Sequence, residues 1–317
     1  MRLILFTLLA LVISGARLPA QAQSCSFSIA NVNFGNINIG PGGTPSTTST
    51  FTATCSGLAN RTITICPNIG DGTGSSTAGS PRLLTNGTRT IGYDLLQPNG
   101  DVWGSYVWPY AARPPVLSLT LNGSGSGTLS RTIQAVISGS IAGANTGLYS
   151  SSYTTFHTLI DYGYAPGQSC STVSNRAAQA PFTVQANNVA TCNVTTTPMD
   201  FGTVADLGTA QSATSQLGIT CTRGTNYTVG LSNGINGGTS PTNRKLASAS
   251  APGSSITYGI YRDTAFSQPW GQTVGSNTVS GVGTGTQQLV IAYGRMPVQA
   301  KPSPASYSDT IVVTVTY

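Results

Sequence analysis

The sequence has no glutamate, one histidine and only 7% charged residues, where about 25% is usual. A paired-carboxylate hydrolase would have to draw on eight aspartates that stand singly along the chain, and their spacing brings no two together. The lone His157 alternates with Leu159 and Asp161 in a β-rich run, which suits a structural or surface histidine better than a general base. No C-x-x-C pair occurs, and one histidine cannot build a Cys/His zinc site. The basic residues are scattered singly, so the converging cations that a nucleic-acid partner requires are missing. Gly70-Asp71-Gly72-Thr73-Gly74 is followed by neither a lysine nor a helical pattern, which excludes a phosphate loop. These absences leave an enzyme, a cofactor or a metal without residues to rest on. Long apolar runs are scarce too: beyond the N-terminus, no stretch reaches the ~18 residues that a spanning helix needs.

What is present points outward from the cell. Residues 1–22 join Arg2, the apolar run Leu3 to Ile13 and the small-residue end Ala20-Gln21-Ala22, the pattern of a secretory signal cleaved before Gln23. Its removal takes Arg2 and Arg17 and lowers the net charge from +6 to +4. Gly, Ser, Thr and Asn dominate the polar positions, and short alternating runs such as Thr62-Ile63-Thr64-Ile65 recur between turn formers. No window sustains a helical period, so the fold class is all-β. Six cysteines in an exported chain make disulfides the default.

The order of landmarks repeats. Cys25 precedes Phe34-Gly35 by nine residues and Cys55 by 30; Cys192 precedes Phe201-Gly202 by nine and Cys221 by 29. Arg82-Leu83, Tyr93-Asp94-Leu95, Trp103-Gly104 and Ser152-Tyr153-Thr154 then answer Arg244-Lys245-Leu246, Tyr258-Gly259-Ile260, Trp270-Gly271 and Ser306-Tyr307-Ser308. Each copy closes on a β-rich run, Thr155 to Tyr162 and Thr310 to Tyr317. Two tandem antiparallel β-sandwiches fit this pattern. Equal spacing predicts one bridge per copy, Cys25 to Cys55 and Cys192 to Cys221, and leaves Cys66 and Cys170 to pair by elimination. Arg82, Arg244, Trp103 and Trp270, matched between the copies, are expected to be structural.

The series Cys, Phe-Gly, Cys, Arg-x-Leu, Tyr-x-Ile-Tyr, Trp-Gly and Tyr-Ser-Asp-Thr, ending on Val313-Thr314-Val315-Thr316-Tyr317, resembles the spore coat U domain family. That family includes subunits of Csu-type (archaic) chaperone-usher pili. The likeness is close over 192–317 and looser over 25–190, where Thr155 stands near the place of Asp309. It implies immunoglobulin-like pilin sandwiches that lack their last strand and take one from a neighbour. It also implies a periplasmic pilus chaperone, an outer-membrane usher and an adjacent pilin as partners, with export through the periplasm to the pilus.

Donor-strand assembly needs an alternating extension to fill the neighbour's open edge. Only Gln23 and Ser24 would precede Cys25 after cleavage, and two residues reach about 7 Å. Before the second copy, however, Ala180 to Val189 sets Phe182, Val184 and Ala186 on one face of an extended strand. The expected division is a first sandwich over 23–179, a linker and internal donor strand over 180–190, and a second sandwich over 191–317 that lacks its last strand because the sequence stops at Tyr317. A subunit that accepts but does not donate belongs at a fibre tip.

Between its Trp and Tyr landmarks the first copy is longer than the second by about 13 residues, and the surplus suggests loops. Tyr106, Val107, Trp108, Pro109 and Tyr110 sit among prolines and glycines, a setting that buried strands avoid. Ile141 and Ala142 tip a second, small-residue loop, and 70–80 forms a third beside them. Exposed apolar groups on loop tips mark a contact surface. The resemblance implies attachment to abiotic or host surfaces through such fingers. Two other readings remain: a carbohydrate-binding tip lectin using Asn99, Asp101 and the aromatic loop, or a structural shaft or spore-coat subunit.

Overall fold

The computed structural model describes residues 23–38, 44–75, 80–108, 110–173 and 177–317. The expected signal segment 1–22 lies outside these, as do Pro109 and residues 76–79 of the third loop. The first copy forms β1 (Ser24–Ile29), β2 (Val32–Ile37), β3 (Ser46–Ser56), β4 (Thr62–Ile69), β5 (Arg82–Asn86), β6 (Arg89–Leu96), β7 (Leu117–Thr120), β8 (Ser126–Ser138), β9 (Gly147–Tyr153), β10 (Thr158–Gly163), β11 (Ala177–Gln179) and β12 (Phe182–Asn188). The second forms β13 (Cys192–Thr196), β14 (Gln211–Cys221), β15 (Asn226–Leu231), β16 (Arg244–Ala247), β17 (Ser255–Tyr261), β18 (Val279–Val282), β19 (Gln288–Met296) and β20 (Val313–Thr316).

Both copies are two-layer β structures with a core of their own, one built from residues between Ile29 and Ala186 and the other from residues between Leu207 and Met296. The alternation seen in sequence is alternation of faces: β12 buries Phe182, Val184, Ala186 and Asn188 while the residues between them look outward. Cys25 lies opposite Cys55 in the β1–β3 ladder and Cys192 opposite Cys221 in the β13–β14 ladder, and both pairs are bridged. The third bridge, Cys66 to Cys170, ties β4 to the segment leading into β11. In each copy a buried arginine is held by main-chain carbonyls. Arg82 donates to those of Ile69, Gly70 and Trp103, and Arg244 to those of Leu231, Ser232, Pro241 and Trp270. The matched tryptophans also spend their indole N–H alike, Trp103 on Pro67 O (2.9 Å) and Trp270 on Val229 O (2.8 Å). Both indoles have their one donor engaged, and the guanidinium of Arg82 is bonded through Nε and Nη2 while its buried Nη1 has no partner among the described residues.

One sheet of the first copy runs β1-β3-β8-β6-β5-β9-β12-β2, and its counterpart in the second runs β13-β14-β19-β17-β16 and stops. The opposite sheets are β11-β10-β4-β7 and β18-β15-β20. The second copy therefore has no equivalent of β11 or β12 among its described residues. The segments matching β2 and β9, around Phe201 and Tyr307, are not built into strands.

The closing run of the first copy differs from its expected form. Thr155 to His157 is a 3-10 turn closed by the His157 N–H to Thr154 O (2.8 Å), and the strand begins only at Thr158. The His157 carbonyl accepts the Gly70 N–H (2.8 Å), one step beyond the Thr158↔Ile69 pair, so the turn stays in register with the end of β4 although it is not strand.

Candidate functional site

Two features stand out, a cluster of aromatic loops on the first copy and a groove in the second. Strand β9 fixes the first. It runs from Gly147 to Tyr153, about 20 Å, and delivers the 3-10 turn to the end of the sandwich away from the second copy. There the turn meets the loop 104–113. Gly104 N–H to Arg113 O (3.4 Å) and Ser105 N–H to Ala112 O (3.2 Å) close the neck of that loop. Any Cβ at Gly104 would overlap the Ala112 main chain, so the neck requires glycine.

Buried Asn68 anchors the loop. Its side-chain oxygen accepts the Tyr106 N–H (2.7 Å), and its amide donates to Asp161 (3.1 Å), whose carboxyl burial pushes upward in pKa while this hydrogen bond pulls it back. The Ser105 hydroxyl oxygen accepts the N–H groups of Val107 (2.9 Å) and Trp108 (3.2 Å), locking the turn that carries them. Tyr106 and Val107 then stand 43% and 47% exposed. Arg113 lies over the Tyr106 ring at 4.8 Å and donates to Ser105 O (2.9 Å).

Trp108 is half-buried. Its ring lies over Gly70, where a Cβ would crowd it at 3.0 Å, and faces His157 at 6.2 Å with the planes 7° apart. Nδ1 of His157 lies 3.1 Å from Asp71 Oδ1, so the third loop stands beside the 3-10 turn and the Trp108 loop, while the loop of Ile141 lies at the other end. Phe156 completes the group: its ring is 6.0 Å from Trp108 and 4.6 Å from His157, and it is 60% exposed. In sequence Phe156 lies inside the β-like run Thr155 to Tyr162, which gives no sign of this exposed placement.

Three expected contact residues, Tyr110, Ile141 and Ala142, are placed otherwise. Tyr110 is turned inward, 5% exposed, with Arg82 6.0 Å from its ring. Burial, aided by the charge of Asp71, pushes its phenol pKa up to about 12. Ile141 packs half-buried against the first core, and the Ala142 carbonyl abuts Gly285 of the second copy so closely that a Cβ there would overlap it. Asn145 bridges to Arg223 in the same junction. That loop closes on the second copy instead of projecting, because small residues on both sides let two backbones approach. The polar pair considered for sugar binding, Asn99 and Asp101, is spent on itself at 2.7 Å. Among the described residues no three potential metal ligands converge.

The second feature is a groove of about 860 Å³ in the second copy. Residues 196–207 form one bank and 301–311 the other, and Leu217, Leu231, Tyr258, Ile260 and Met296 lie among its floor residues. The banks match β2 and β9. In the first copy the space between those strands is filled by β12, which runs antiparallel to β9 from Phe182↔Tyr153 to Asn188↔Gly147 and parallel to β2. Phe182 stacks on Tyr153 at 4.3 Å, and Asn188 closes the strand by donating to Asn145 O (2.9 Å).

The model of the Spore Coat Protein U domain matches residues 10–155 and again 178–314, and the chain belongs to that family. No curated protein matches the sequence. Among solved structures, the chain is similar to one from the CsuC-CsuE chaperone-tip adhesion subunit pre-assembly complex of archaic chaperone-usher Csu pili of Acinetobacter baumannii. The identity is 15%, 93% of this chain and 100% of that one are covered, and the TM-score is 0.52. The CupB6 tip adhesin from Pseudomonas aeruginosa is 13% identical, with 92% and 94% covered and a TM-score of 0.37. The fold likeness rests on the first of these. No described helix is long and apolar enough to cross a membrane.

Proposed function

We propose that this protein is the tip adhesin of a chaperone-usher pilus, exported to the cell surface, where it attaches bacteria to surfaces and supports biofilm formation. The observation that carries the reading is the contrast between the copies: one slot holds β12, and the same slot in the other is an open groove with an apolar floor between polar banks. A first domain completed by its own chain at 180–190 needs no neighbour, whereas the second accepts a strand from the adjacent pilin through main-chain pairing and alternate side-chain pockets. Unfilled, that groove is a sheet edge prone to aggregation, which fits a periplasmic chaperone as its first occupant and the outer-membrane usher as the place of exchange. The role is adhesive and non-enzymatic.

Contact falls to the exposed loop carrying Tyr106, Val107 and Trp108, since aromatic side chains provide large contact areas at low entropic cost. Bacteria carrying Val107→Asp or Trp108→Asp in otherwise intact pili are expected to adhere to plastic about tenfold less, the effect of losing a contact hot spot. Unchanged adhesion refutes the contact assignment. Binding on a glycan array would favour a tip lectin, and an electron-microscopy label along the shaft rather than at fibre ends would favour a structural subunit.

A further inference from the structure

The slot filled by β12 and the open groove can be laid on each other residue by residue. Sequence order matches Tyr153 to Tyr307, but three contacts move the match by four residues. Ser150 lies opposite Thr85, and Ser308 lies opposite Ala247, where Thr85 and Ala247 each stand three residues after the matched arginine. The Tyr149 hydroxyl donates to the carbonyl four residues back, Asn145 O at 3.1 Å, and the Tyr307 hydroxyl does the same to Ser303 O at 2.7 Å. A Cβ on Gly72 would run into Ser151 Oγ, and one on Gly234, at the same place before its arginine, would run into the Asp309 carboxylate. In space, then, Tyr307 answers Tyr149, and Pro302 and Ser303 answer Ala144 and Asn145.

Asn188 is what distinguishes β12 from a plain apolar strand. It is buried, and its Nδ2 donates to Ala144 O (3.2 Å) and Asn145 O (2.9 Å), while its Oδ1 has no partner among the described residues. The side chain serves the slot as a donor. Two residues earlier Ala186 lies across from Tyr149, both fully buried, so the ring supplies the volume and the strand only a methyl group. In the second copy Pro302, Ser303 and Tyr307 all line the open groove. A strand laid there without a donor would bury two carbonyls short of a hydrogen bond.

We propose that the strand accepted by the groove carries a small residue opposite Tyr307 and, two positions later, an asparagine whose amide donates to the carbonyls of Pro302 and Ser303. This rests on the strand-accepting reading above. The partner is an extended segment of an adjacent chain that reads apolar, apolar, small, asparagine at alternate positions in the direction of β12. Ile311, which answers Tyr153, keeps the first position apolar. Asp309 stands across from the second, and its carboxylate is engaged by the Ile235 N–H (3.0 Å) and the Tyr258 hydroxyl (2.8 Å), so it calls for no cation there.

The test titrates labelled, end-capped peptides spanning residues 180–189 onto the full oxidised chain and follows their anisotropy. The chain's own β12 occupies the first slot, which leaves the groove for the peptide. Asn188→Asp keeps the shape but replaces the donor with a carboxylate facing two carbonyls, and should weaken binding about 100-fold; Asn188→Ala should weaken it about tenfold. Ala186→Leu, crowded by the Tyr307 ring, should weaken it about tenfold. Gln185→Ala, on the outward face, should bind within about twofold of the wild-type peptide. If Asn188→Asp or Ala186→Leu binds like the wild-type peptide, or Gln185→Ala loses as much as they do, the assigned pattern is overturned and strand acceptance stands. Failure of every peptide to bind overturns strand acceptance itself, and this inference with it.

Discussion

Shortening one side chain of β12 should unravel one half of the protein and spare the other. Phe182 is 5% exposed, stacked on Tyr153 at 4.3 Å with planes 10° apart, and stands where β12 enters its slot. Truncating a buried phenylalanine to alanine costs about 3–5 kcal/mol, including the cavity left behind. For a domain of roughly this size each kcal/mol lowers the melting temperature by about 2–4 °C, so Phe182→Ala should lower the first transition by about 6–20 °C. Val184→Ala removes two methyl groups at about 0.8 kcal/mol each plus a cavity contribution, a smaller shift in the same direction. Trp103 and Trp108 report the first copy and Trp270 the second, so fluorescence melting of oxidised protein with Trp270 replaced by Phe, or retained alone, separates the transitions. A shift below about 1 kcal/mol would mean that β12 is not integral to the first core. An equal fall in the Trp270 transition would refute the independence of the two cores.

The open groove makes the converse prediction: a peptide spanning residues 180–189, added to the full chain, should raise the Trp270 transition. At about 100 times its dissociation constant the gain is about 2.7 kcal/mol, and a scrambled peptide giving the same shift would count against strand acceptance. Alkaline titration monitored by tyrosinate absorbance should show Tyr110 ionising late, at about 12. Because this folded-state pKa is raised, its contribution to stability is whole below the unfolded value near 10 and is lost as pH rises toward 12. Tyr110→Phe should remove one equivalent from the late step, and its loss from the early step instead would refute the inward placement.

Different physics decided which parts of this architecture were legible in the sequence. Repetition was legible because Cys25, Arg82 and Trp103 serve the same non-local bonds as Cys192, Arg244 and Trp270, so both copies must keep them at similar spacing. The alternation of Phe182, Val184 and Ala186 was equally visible, since a two-residue period needs no knowledge of partners. Phe156 was hidden for the opposite reason. In sequence it continues a β-like run, and its value emerges only where Gly70, Trp108 and His157, far apart along the chain, meet at one end of the sandwich.

The loop around Ile141 shows why composition alone misjudges exposure. Glycine and alanine around a single isoleucine suit a projecting finger, because small residues cost nothing when wet and give a turn freedom. They suit a tight junction equally well, because the absence of side chains lets one backbone approach another. Here the Ala142 carbonyl meets Gly285, Asn145 bridges to Arg223, and the Ala144 carbonyl accepts the Asn188 amide at 3.2 Å. The loop is held between the end of β12 and the second copy, and the segment leaving β12 is fastened there as well, its Val189 carbonyl taken by the Thr222 hydroxyl at 3.1 Å. The small residues were informative about distance, and what they are near is a property of the fold.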